Sequence, residues 1–260
     1  SKLLVHFIDV GQGDSILITQ GKHAMLIDAG NNDKGTTVQL YLKKQGLTSL
    51  DYVIGTHPHE DHIGGLDDVI NSDLKIENLW MPKIQTNTKT FEDVLDAVKN
   101  KGLKVTAPNK GDSFEIGKAK CEVMTDSILN KDNLNLSSIV IRLEFENNSF
   151  LFMGDAETAN EKTRTWMKTD VLKVGHHGSN TSSSEDFLKQ INPTYAVIMA
   201  GKNNSYGLPK QKILDRLTKI GAKVYRTDEE GTIMMISNGN NIEVKENTWQ
   251  FAIIKLKYNR

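Results

Sequence analysis

A cluster of metal-binding residue types constrains this chain more than any other feature of its sequence. Three histidines and an aspartate fall within six positions, in His57-x-His59-x-Asp61-His62. The cluster closely follows the apolar run Tyr52–Ile54, which predicts a buried strand. His57 and His59 are two positions apart, so they point the same way in an extended loop. Imidazole nitrogens and carboxylate oxygens at this spacing suit one or two borderline metal ions.

Surface histidines in a polar loop are the alternative to a metal site. The chain has seven histidines in 260 residues, and three of them stand in this one short segment. Such crowding favours the metal-site interpretation.

Composition and charge bound the class of protein. The residues are 38% hydrophobic and 25% charged, with a formal net charge of −1, which is typical of a globular protein. The length, together with the lack of a linker or repeat, predicts a single domain over residues 1–260. This charge does not require a nucleic-acid or anionic-membrane partner, although a local basic patch is compatible with it.

The single cysteine and the hydropathy pattern bear on location. Cys121 excludes an internal disulfide, and its strand-like surroundings predict a core residue. No apolar run reaches about 18 residues, so we expect no transmembrane segment in this chain. The chain starts at Ser1 and enters a predicted strand almost at once. We expect an extracellular or cell-surface protein, with a leader or membrane part removed, rather than a cytoplasmic one, and we expect a monomer.

Short strands alternate with helices in both halves of the chain. Leu3–Ile8 and Ser15–Thr19 predict a β-hairpin. The spacing of apolar residues predicts a helix over Thr158–Lys168, Asp228–Gly231 predicts a hairpin turn, and Phe251–Tyr258 predicts a last strand. The order strand, helix, strand, helix, strand recurs, which indicates two similar α/β halves packed sheet to sheet with helices outside.

Three more acidic or histidine positions follow apolar strands beside glycines. Asp28 follows Met25–Ile27, Asp155 follows Phe150–Gly154, and the pair His176-His177 follows Val171–Gly175; all three segments end in a loop. Strand ends on one edge of a sheet converge, so a carboxylate such as Asp155 can bridge two metals about 3.5–4 Å apart.

With these motifs the sequence resembles the metallo-β-lactamase superfamily. His57-x-His59-x-Asp61-His62 is the most specific signature, and the resemblance runs from Leu3 to about Val244. Within the superfamily the chain is most similar to the catalytic domain of ComEC-type DNA-uptake proteins and their free-standing relatives. The matching segments are Val5–Ser15, Lys173–Ser179 and Ser205–Pro209. Pneumococcal phosphorylcholine esterase is a related branch.

The resemblance implies a four-layer αββα sandwich, the metallo-β-lactamase fold, and a ligand set for two divalent ions. One ion would be held by His57 and His59, the other by Asp61, His62 and His177, with Asp155 bridging the two. Zinc is the expected metal, with manganese as the alternative. His176 is the alternative to His177 as ligand and is otherwise a substrate-contacting or catalytic group. Asp28 would orient the ligand loop.

One departure separates this chain from much of the superfamily. Many members carry a further histidine ligand between the first motif and the bridging aspartate, and this chain has no histidine between His62 and Asp155. The matching segment, Asn135–Val140, resembles that of ComEC-like relatives. The first metal would then have three protein ligands and an open position.

The resemblance and the metals predict a two-metal hydrolase of phosphodiester bonds, with DNA as a candidate substrate and therefore a ComEC-like nuclease. A metal-bound water with a pKa near about 7 would supply hydroxide. Asp61 could orient that nucleophile, and His176 could protonate the leaving oxygen. Candidate substrate-binding residues are Asn31, Asn135, Ser138, Ser179 and Tyr206.

Two other functions stay open at this point. An exported esterase for a small or cell-wall phosphodiester such as phosphorylcholine would need an aromatic cage, for which Trp80, Trp166 and Tyr206 are candidates. A nuclease would need a basic track that leads to the metals, and the candidates for it are Lys173, Lys202 and Lys210. A non-catalytic binding domain is disfavoured by the intact ligand set, and a β-lactamase by the missing histidine.

Overall fold

A computed structural model describes residues 1–246, which contain fifteen strands and eight α-helices. The strands are β1 (Leu3–Phe7), β2 (Ile16–Gln20), β3 (His23–Ile27), β4 (Ser49–Ile54), β5 (Lys75–Trp80), β6 (Val105–Thr106), β7 (Ser113–Ile116), β8 (Ala119–Val123), β9 (Ile141–Phe145), β10 (Asn148–Phe152), β11 (Val171–Lys173), β12 (Tyr195–Ile198), β13 (Lys223–Arg226), β14 (Ile233–Ser237) and β15 (Ile242–Glu246). The helices are α1 (Gly35–Lys44), α2 (Glu60–Ile63), α3 (Leu66–Asn71), α4 (Lys89–Lys101), α5 (Thr158–Glu161), α6 (Glu185–Ile191), α7 (Gln211–Lys219) and α8 (Thr227–Glu230). The predicted strand Phe251–Tyr258 lies outside the described residues.

Two mixed sheets form the middle of the molecule. The first has the order β15-β14-β1-β2-β3-β4-β5-β6 and the second the order β13-β12-β11-β10-β9-β8-β7. The predicted β1–β2 hairpin is confirmed, with Leu3 opposite Gln20 and Phe7 opposite Ile16. Strands β3 to β6 are parallel, and so are β10 to β13. Each sheet therefore has a group of parallel strands whose carboxyl ends leave on one edge.

Three apolar cores explain the layers. Alternate residues of β1, such as Leu3, Val5 and Phe7, pack between the two sheets. A second core lies between the first sheet and helices α1, α3 and α4, where Val94 is fully buried. A third lies between the second sheet and helices α6 and α7, around Phe187. The result is the predicted αββα sandwich.

The predicted helix over Thr158–Lys168 was wrong in its length, because α5 ends at Glu161. Trp166 is buried in the third core, and its indole N–H donates to the carbonyl of Glu161 (2.8 Å). Its backbone N–H donates to the side chain of Gln190 instead of continuing a helix. Burial of one large ring therefore prevails over the helical spacing.

The predicted hairpin turn at Asp228–Gly231 was also wrong. Residues Thr227–Glu230 form the short helix α8. The strands on either side, β13 and β14, belong to different sheets, so this segment crosses from one layer to the other. Among the described residues, no helix has the length and apolarity needed to cross a membrane.

Candidate metal centre

Loops at the ends of strands from both sheets bring the histidine and aspartate side chains together. His57 comes shortly after β4, Asp155 after β10 and His177 after β11. Asp61 and His62 lie on α2, which begins one residue after His59. The sequence-predicted ligands therefore reach one centre from two sheets.

Gly64 and Gly65 let α2 approach the loop after β3. A Cβ added to Gly64 would lie 2.3 Å from the backbone nitrogen of Asn32, and one added to Gly65 would lie 2.3 Å from the carbonyl oxygen of Ala29. The Ala29 amide also donates to the carbonyl of His62 (2.8 Å). A side chain at either glycine would displace the helix that carries Asp61 and His62.

The first donor group consists of His57, His59 and Asp155. Nε2 of His57 lies 3.1 Å from Nδ1 of His59 and 3.6 Å from Oδ2 of Asp155. His57 is fully buried, whereas His59 is partly exposed. This group therefore offers three donor atoms to an ion and stays accessible through His59.

The second donor group consists of Asp61, His62, Asp155 and His177. The Nε2 atoms of His62 and His177 are 3.3 Å apart. Oδ1 of Asp155 lies 3.0 Å from Nε2 of His62, and Oδ2 of Asp61 lies 3.0 Å from Nε2 of His177. Asp155 thus turns one carboxylate oxygen to each group, which is the arrangement that a bridging ligand requires.

Hydrogen bonds hold three of the histidine rings, those of His57, His62 and His177, with their Nδ1 atoms away from the centre. Nδ1 of His62 donates to Oδ2 of Asp28 (2.7 Å), and Nδ1 of His177 donates to the carbonyl of Met199 (2.8 Å). Thr56 donates its hydroxyl to Asp28 (2.7 Å), so its oxygen accepts from Nδ1 of His57 (3.0 Å). In the neutral rings the Nε2 lone pairs then face inward. Asp28, which the resemblance implied as an orienting residue, makes these contacts with Thr56 and His62.

These donors fit divalent cations. Two inward-facing Nε2 atoms at 3.3 Å repel each other unless a proton or a metal ion lies between them. Oδ1 of Asp155 is buried and makes no hydrogen bond. Imidazole nitrogens with carboxylate oxygens are donors for zinc and related ions. The histidine and aspartate groups therefore indicate a dinuclear metal site.

The charges of the centre shift the pKa values of its histidines in opposite directions. Burial lowers the pKa of His177, but the surrounding carboxylates, led by Asp155, outweigh it and raise that pKa well above its ordinary value. The same causes raise the pKa of His62. Burial and neighbouring His62 keep the pKa of His57 well below its ordinary value. The carboxylates of the second donor group therefore favour positive charge there, and a bound cation would supply that charge in place of protons.

A cavity of about 370 Å³ opens onto the two donor groups. Of the predicted substrate-binding residues, Asn31, Asn135 and Tyr206 line it, and so does His176. Its lining residues are Gln12, Asn31, His59, Glu60, Asp61, Asn135, Asp155, His176, His177, Tyr206 and Leu208. A larger cavity of about 600 Å³ beside α1 lacks any such donor cluster, so we assign the chemistry to the smaller one.

His176 and His177 take different positions although they are adjacent. His177 belongs to the second donor group, whereas His176 lies on the cavity wall with its Nε2 3.7 Å from Oδ2 of Asp155. Nδ1 of His176 is 2.9 Å from the hydroxyl of Thr181. This placement favours His177 as the ligand and leaves His176 facing the cavity.

The structure does not bring Ser138 and Ser179 to the cavity wall. Ser138 is fully buried; its Oγ accepts from the Asp155 amide (3.1 Å) and lies 3.3 Å from Nδ1 of His57. Ser179 is hydrogen-bonded to Thr181. Ser138 therefore supports two metal-ligand segments from behind, in place of the predicted contact with substrate.

Other residues of the centre escaped the sequence-based prediction. Lys173 was a candidate for a basic track leading to the metals, but it is fully buried and pairs with Asp14. Thr56 links Asp28 to His57, as described above. A lysine within the apolar run of β11 was a usable signal, because a buried lysine requires a partner. Nothing in the local sequence identified that partner as Asp14.

Comparison with known proteins agrees with the geometry. A sequence model of the metallo-β-lactamase superfamily matches residues 8–202. ComE operon protein 3 of Bacillus subtilis is 34% identical over 251 residues, covering 88% of this chain and 32% of that protein. Recombination protein 2 of Haemophilus influenzae is 29% identical over 255 residues, covering 95% of this chain and 30% of that protein. The chain thus spans about a third of the length of these curated relatives.

Solved structures show the same fold. The metallo-β-lactamase fold protein YhfI from Bacillus subtilis superposes with a TM-score of 0.58 at 13% identity, covering 88% of this chain and 98% of that one. A diphosphatase from the PhnP family superposes with a TM-score of 0.51 at 15% identity, covering 91% of this chain and 99% of that one. At these identities the similarity concerns the fold alone.

Proposed function

Because this chain belongs to the metallo-β-lactamase superfamily, we propose that it is a metal-dependent hydrolase that cleaves phosphodiester bonds. The observation that carries the proposal is the pair of donor groups that share Asp155 beneath an open cavity. One ion would be held by His57 and His59, and the other by Asp61, His62 and His177, with Asp155 shared between them. Zinc is the metal that this mixed nitrogen and oxygen set favours, with manganese as the alternative.

Two divalent ions bound there would lower the pKa of a water to around 7 and offset the charge of a phosphate. Asp61 reaches the cavity with a side chain that is 27% exposed, and it can orient a nucleophile there. His176 contributes its imidazole from the wall, where it can donate a hydrogen bond to a phosphate oxygen or pass a proton to the leaving oxygen. Asn31 and Asn135 add amide groups to the lining.

DNA is the polymer that we propose as substrate, which makes the protein a nuclease. The name of one relative, Recombination protein 2, refers to recombination, which favours DNA. Tyr206 lines the cavity and the residue is 67% exposed, and an exposed aromatic ring is a stacking surface for a nucleobase. Lys210 bonds to the carbonyl of Tyr206 (3.1 Å), and Lys202 is exposed on the same loop, so cations accompany the ring.

The positions of the three candidate cage residues, Trp80, Trp166 and Tyr206, argue against an esterase for a choline-type substrate. Trp80 packs against Tyr52 and Phe114, and Trp166 is buried in the third core. Of the three predicted cage residues, Tyr206 alone lines the cavity in the described part of the chain. A quaternary ammonium group is usually held by several aromatic faces, so this cavity suits a nucleobase better.

The test is hydrolysis by protein of measured metal content. We expect chain loaded with Zn²⁺ or Mn²⁺ to cleave bis(p-nitrophenyl) phosphate and single-stranded DNA more readily than a phosphocholine ester. The double variant His59→Ala with Asp155→Ala is expected to lose this activity and keep the fold. It would lose activity because it removes one residue of the first donor group and the aspartate that both groups share.

A matched control is His23→Ala with Asp51→Ala. This changes the same residue types in a pair joined at 3.0 Å outside the centre, and it should leave hydrolysis intact. Wild-type protein that holds two ions per chain and cleaves no phosphodiester would disprove the proposal. Cell fractionation tests the extracellular or cell-surface location, which we propose as well, and light scattering tests the proposed monomer.

A further inference from the structure

A buried ion pair lies directly behind the second donor group. Lys173 is fully buried in β11, and Asp14, in the loop between β1 and β2, is 1% exposed. The ammonium of Lys173 contacts Oδ2 of Asp14 and donates to the carbonyl of Gly154 (3.1 Å). Gly154 immediately precedes Asp155, so the pair touches the backbone of the shared carboxylate.

Asp14 faces both histidines of the second group. Its Oδ1 lies 3.4 Å from Nδ1 of His177, and its Oδ2 lies 3.8 Å from Nδ1 of His62. Each of these Nδ1 atoms already has a nearer acceptor, Met199 or Asp28. Oδ1 of Asp14 is buried without a hydrogen bond. Asp14 therefore acts on the two rings through its charge more than through a hydrogen bond.

The backbone of this loop is tied to the same centre. The Asp14 amide donates to the carbonyl of Asp61 (3.1 Å), and its own carbonyl accepts from Gly30 (2.9 Å). A Cβ added to Gly13 would lie 2.4 Å from the Asp61 carbonyl oxygen. The position of the Asp14 carboxylate is thus set by the helix that carries two ligands.

The charges explain why a lysine is buried here. The described residues of the centre include four carboxylates: Asp14, Asp28, Asp61 and Asp155. Two divalent ions would offset those four charges, and Lys173 adds one positive charge toward the further anions that the centre would hold, a step that rests on the proposed function. Without Lys173, Asp14 would be a buried carboxylate with no cation of its own.

We propose that the Lys173–Asp14 pair sets the affinity of the second donor group for its metal ion. Asp14 strengthens that affinity, and Lys173 limits it. Both are positioning residues, because neither reaches the cavity. A purely structural pair would respond to removal of either member by the same loss of stability. A charge-setting pair responds with metal affinities that change in opposite directions.

The experiment measures metal binding and not hydrolysis. Chelator-stripped protein is titrated with Zn²⁺ by calorimetry and with Co²⁺ by its visible absorption, and bound ions are counted by elemental analysis. Asp14→Asn is expected to weaken the second ion by about 10- to 100-fold, since it leaves an unpaired ammonium beside the site. Lys173→Met is expected to tighten it by about tenfold, since it removes a nearby positive charge.

The double variant keeps the test decisive if Lys173→Met does not fold. Replacing both members of a buried pair by neutral groups is often tolerated, so Asp14→Asn with Lys173→Met is expected to fold. Its affinity for the second ion is expected between those of the two single changes. Arg142→Met is the matched control: Arg142 is a buried cation of the same sheet that bonds to Thr169, ahead of the start of β11.

Affinities for the second ion that stay unchanged, or that shift in the same direction in both single variants, would overturn the inference. So would an equal shift in Arg142→Met. Protein that shows the opposite shifts but cleaves no phosphodiester would retain the inference and lose the proposed function. The two proposals are therefore tested separately.

Discussion

The Asp28 carboxylate offers the sharpest test of how the centre is held. Its Oδ1 accepts from the Thr56 amide (2.8 Å), and its Oδ2 accepts from the Thr56 hydroxyl and from Nδ1 of His62 (2.7 Å each). Asp28→Asn has nearly the same shape but only one acceptor oxygen. At least one donor must then face an NH₂ group. The backbone amide of Thr56 cannot change its role, so the NH₂ group turns toward His62.

The size of the effect follows from these contacts. Losing one charge-assisted hydrogen bond and burying an unsatisfied donor costs about 2–4 kcal/mol of unfolding free energy. An NH₂ group opposite Nδ1 of His62 would also move the ring proton to Nε2, the atom that faces the ions. We expect the affinity for the second ion to fall by about 10- to 100-fold. Urea unfolding and calorimetric Zn²⁺ titration measure the two effects.

Asp51→Asn is the matched control for this change. The Asp51 carboxylate also accepts from a backbone amide, that of Ala24 (2.7 Å), and contacts a histidine Nδ1, that of His23 (3.0 Å). It lies in β4 away from the donor groups, so we expect a smaller loss of stability and unchanged Zn²⁺ binding. If Asp28→Asn binds both ions with wild-type affinity, or if Asp51→Asn weakens them equally, the reasoning about ring orientation is refuted.

Two further predictions concern the cavity and the core. Tyr206→Ala should raise KM for single-stranded DNA by about 5- to 100-fold, while Tyr206→Phe should change this KM little. With an abasic oligonucleotide as substrate, Tyr206→Ala should also change KM little; a similar rise on the abasic strand would contradict base stacking. Burial lowers the pKa of His6, which is hydrogen-bonded to Tyr41 (2.7 Å), to about 4. The unfolded chain therefore binds this proton first, and stability is lost as pH falls from about 6.5 to about 4. Over that window the free energy of unfolding of His6→Gln, measured with urea, should rise by about 3 kcal/mol relative to that of the wild type. Parallel plots of this free energy against pH for the two proteins would refute the prediction.

The donor set was predictable because its information is local. His57, His59, Asp61 and His62 are brought together by one loop and one turn of helix. Asp155 follows an apolar strand, and strand ends meet at a sheet edge whatever the details of packing. The alternation of strands and helices predicted the layers for a similar reason, since each amphipathic element must bury its apolar face.

The failures came from side chains that act across long stretches of sequence. Trp166 ends a helix because its indole finds the Glu161 carbonyl in a core that only the folded chain creates. Ser138 was expected at the substrate, yet its hydroxyl supports the Asp155 amide from within the sandwich. Lys173 was a candidate for a basic track, yet it is fully buried against Asp14, which is far away in sequence.

Specificity must therefore be sought where the shared centre ends. The donor groups and their buried supports leave little freedom, because most of those side chains are buried. The cavity rim is different: Gln12, Asn31 and Tyr206 come from three separate loops. The Gln12 side chain accepts from the Gly201 amide (2.9 Å), so the loop that presents Tyr206 is anchored beside the donor groups. Changes at this rim can alter which substrate is bound without disturbing the donor groups.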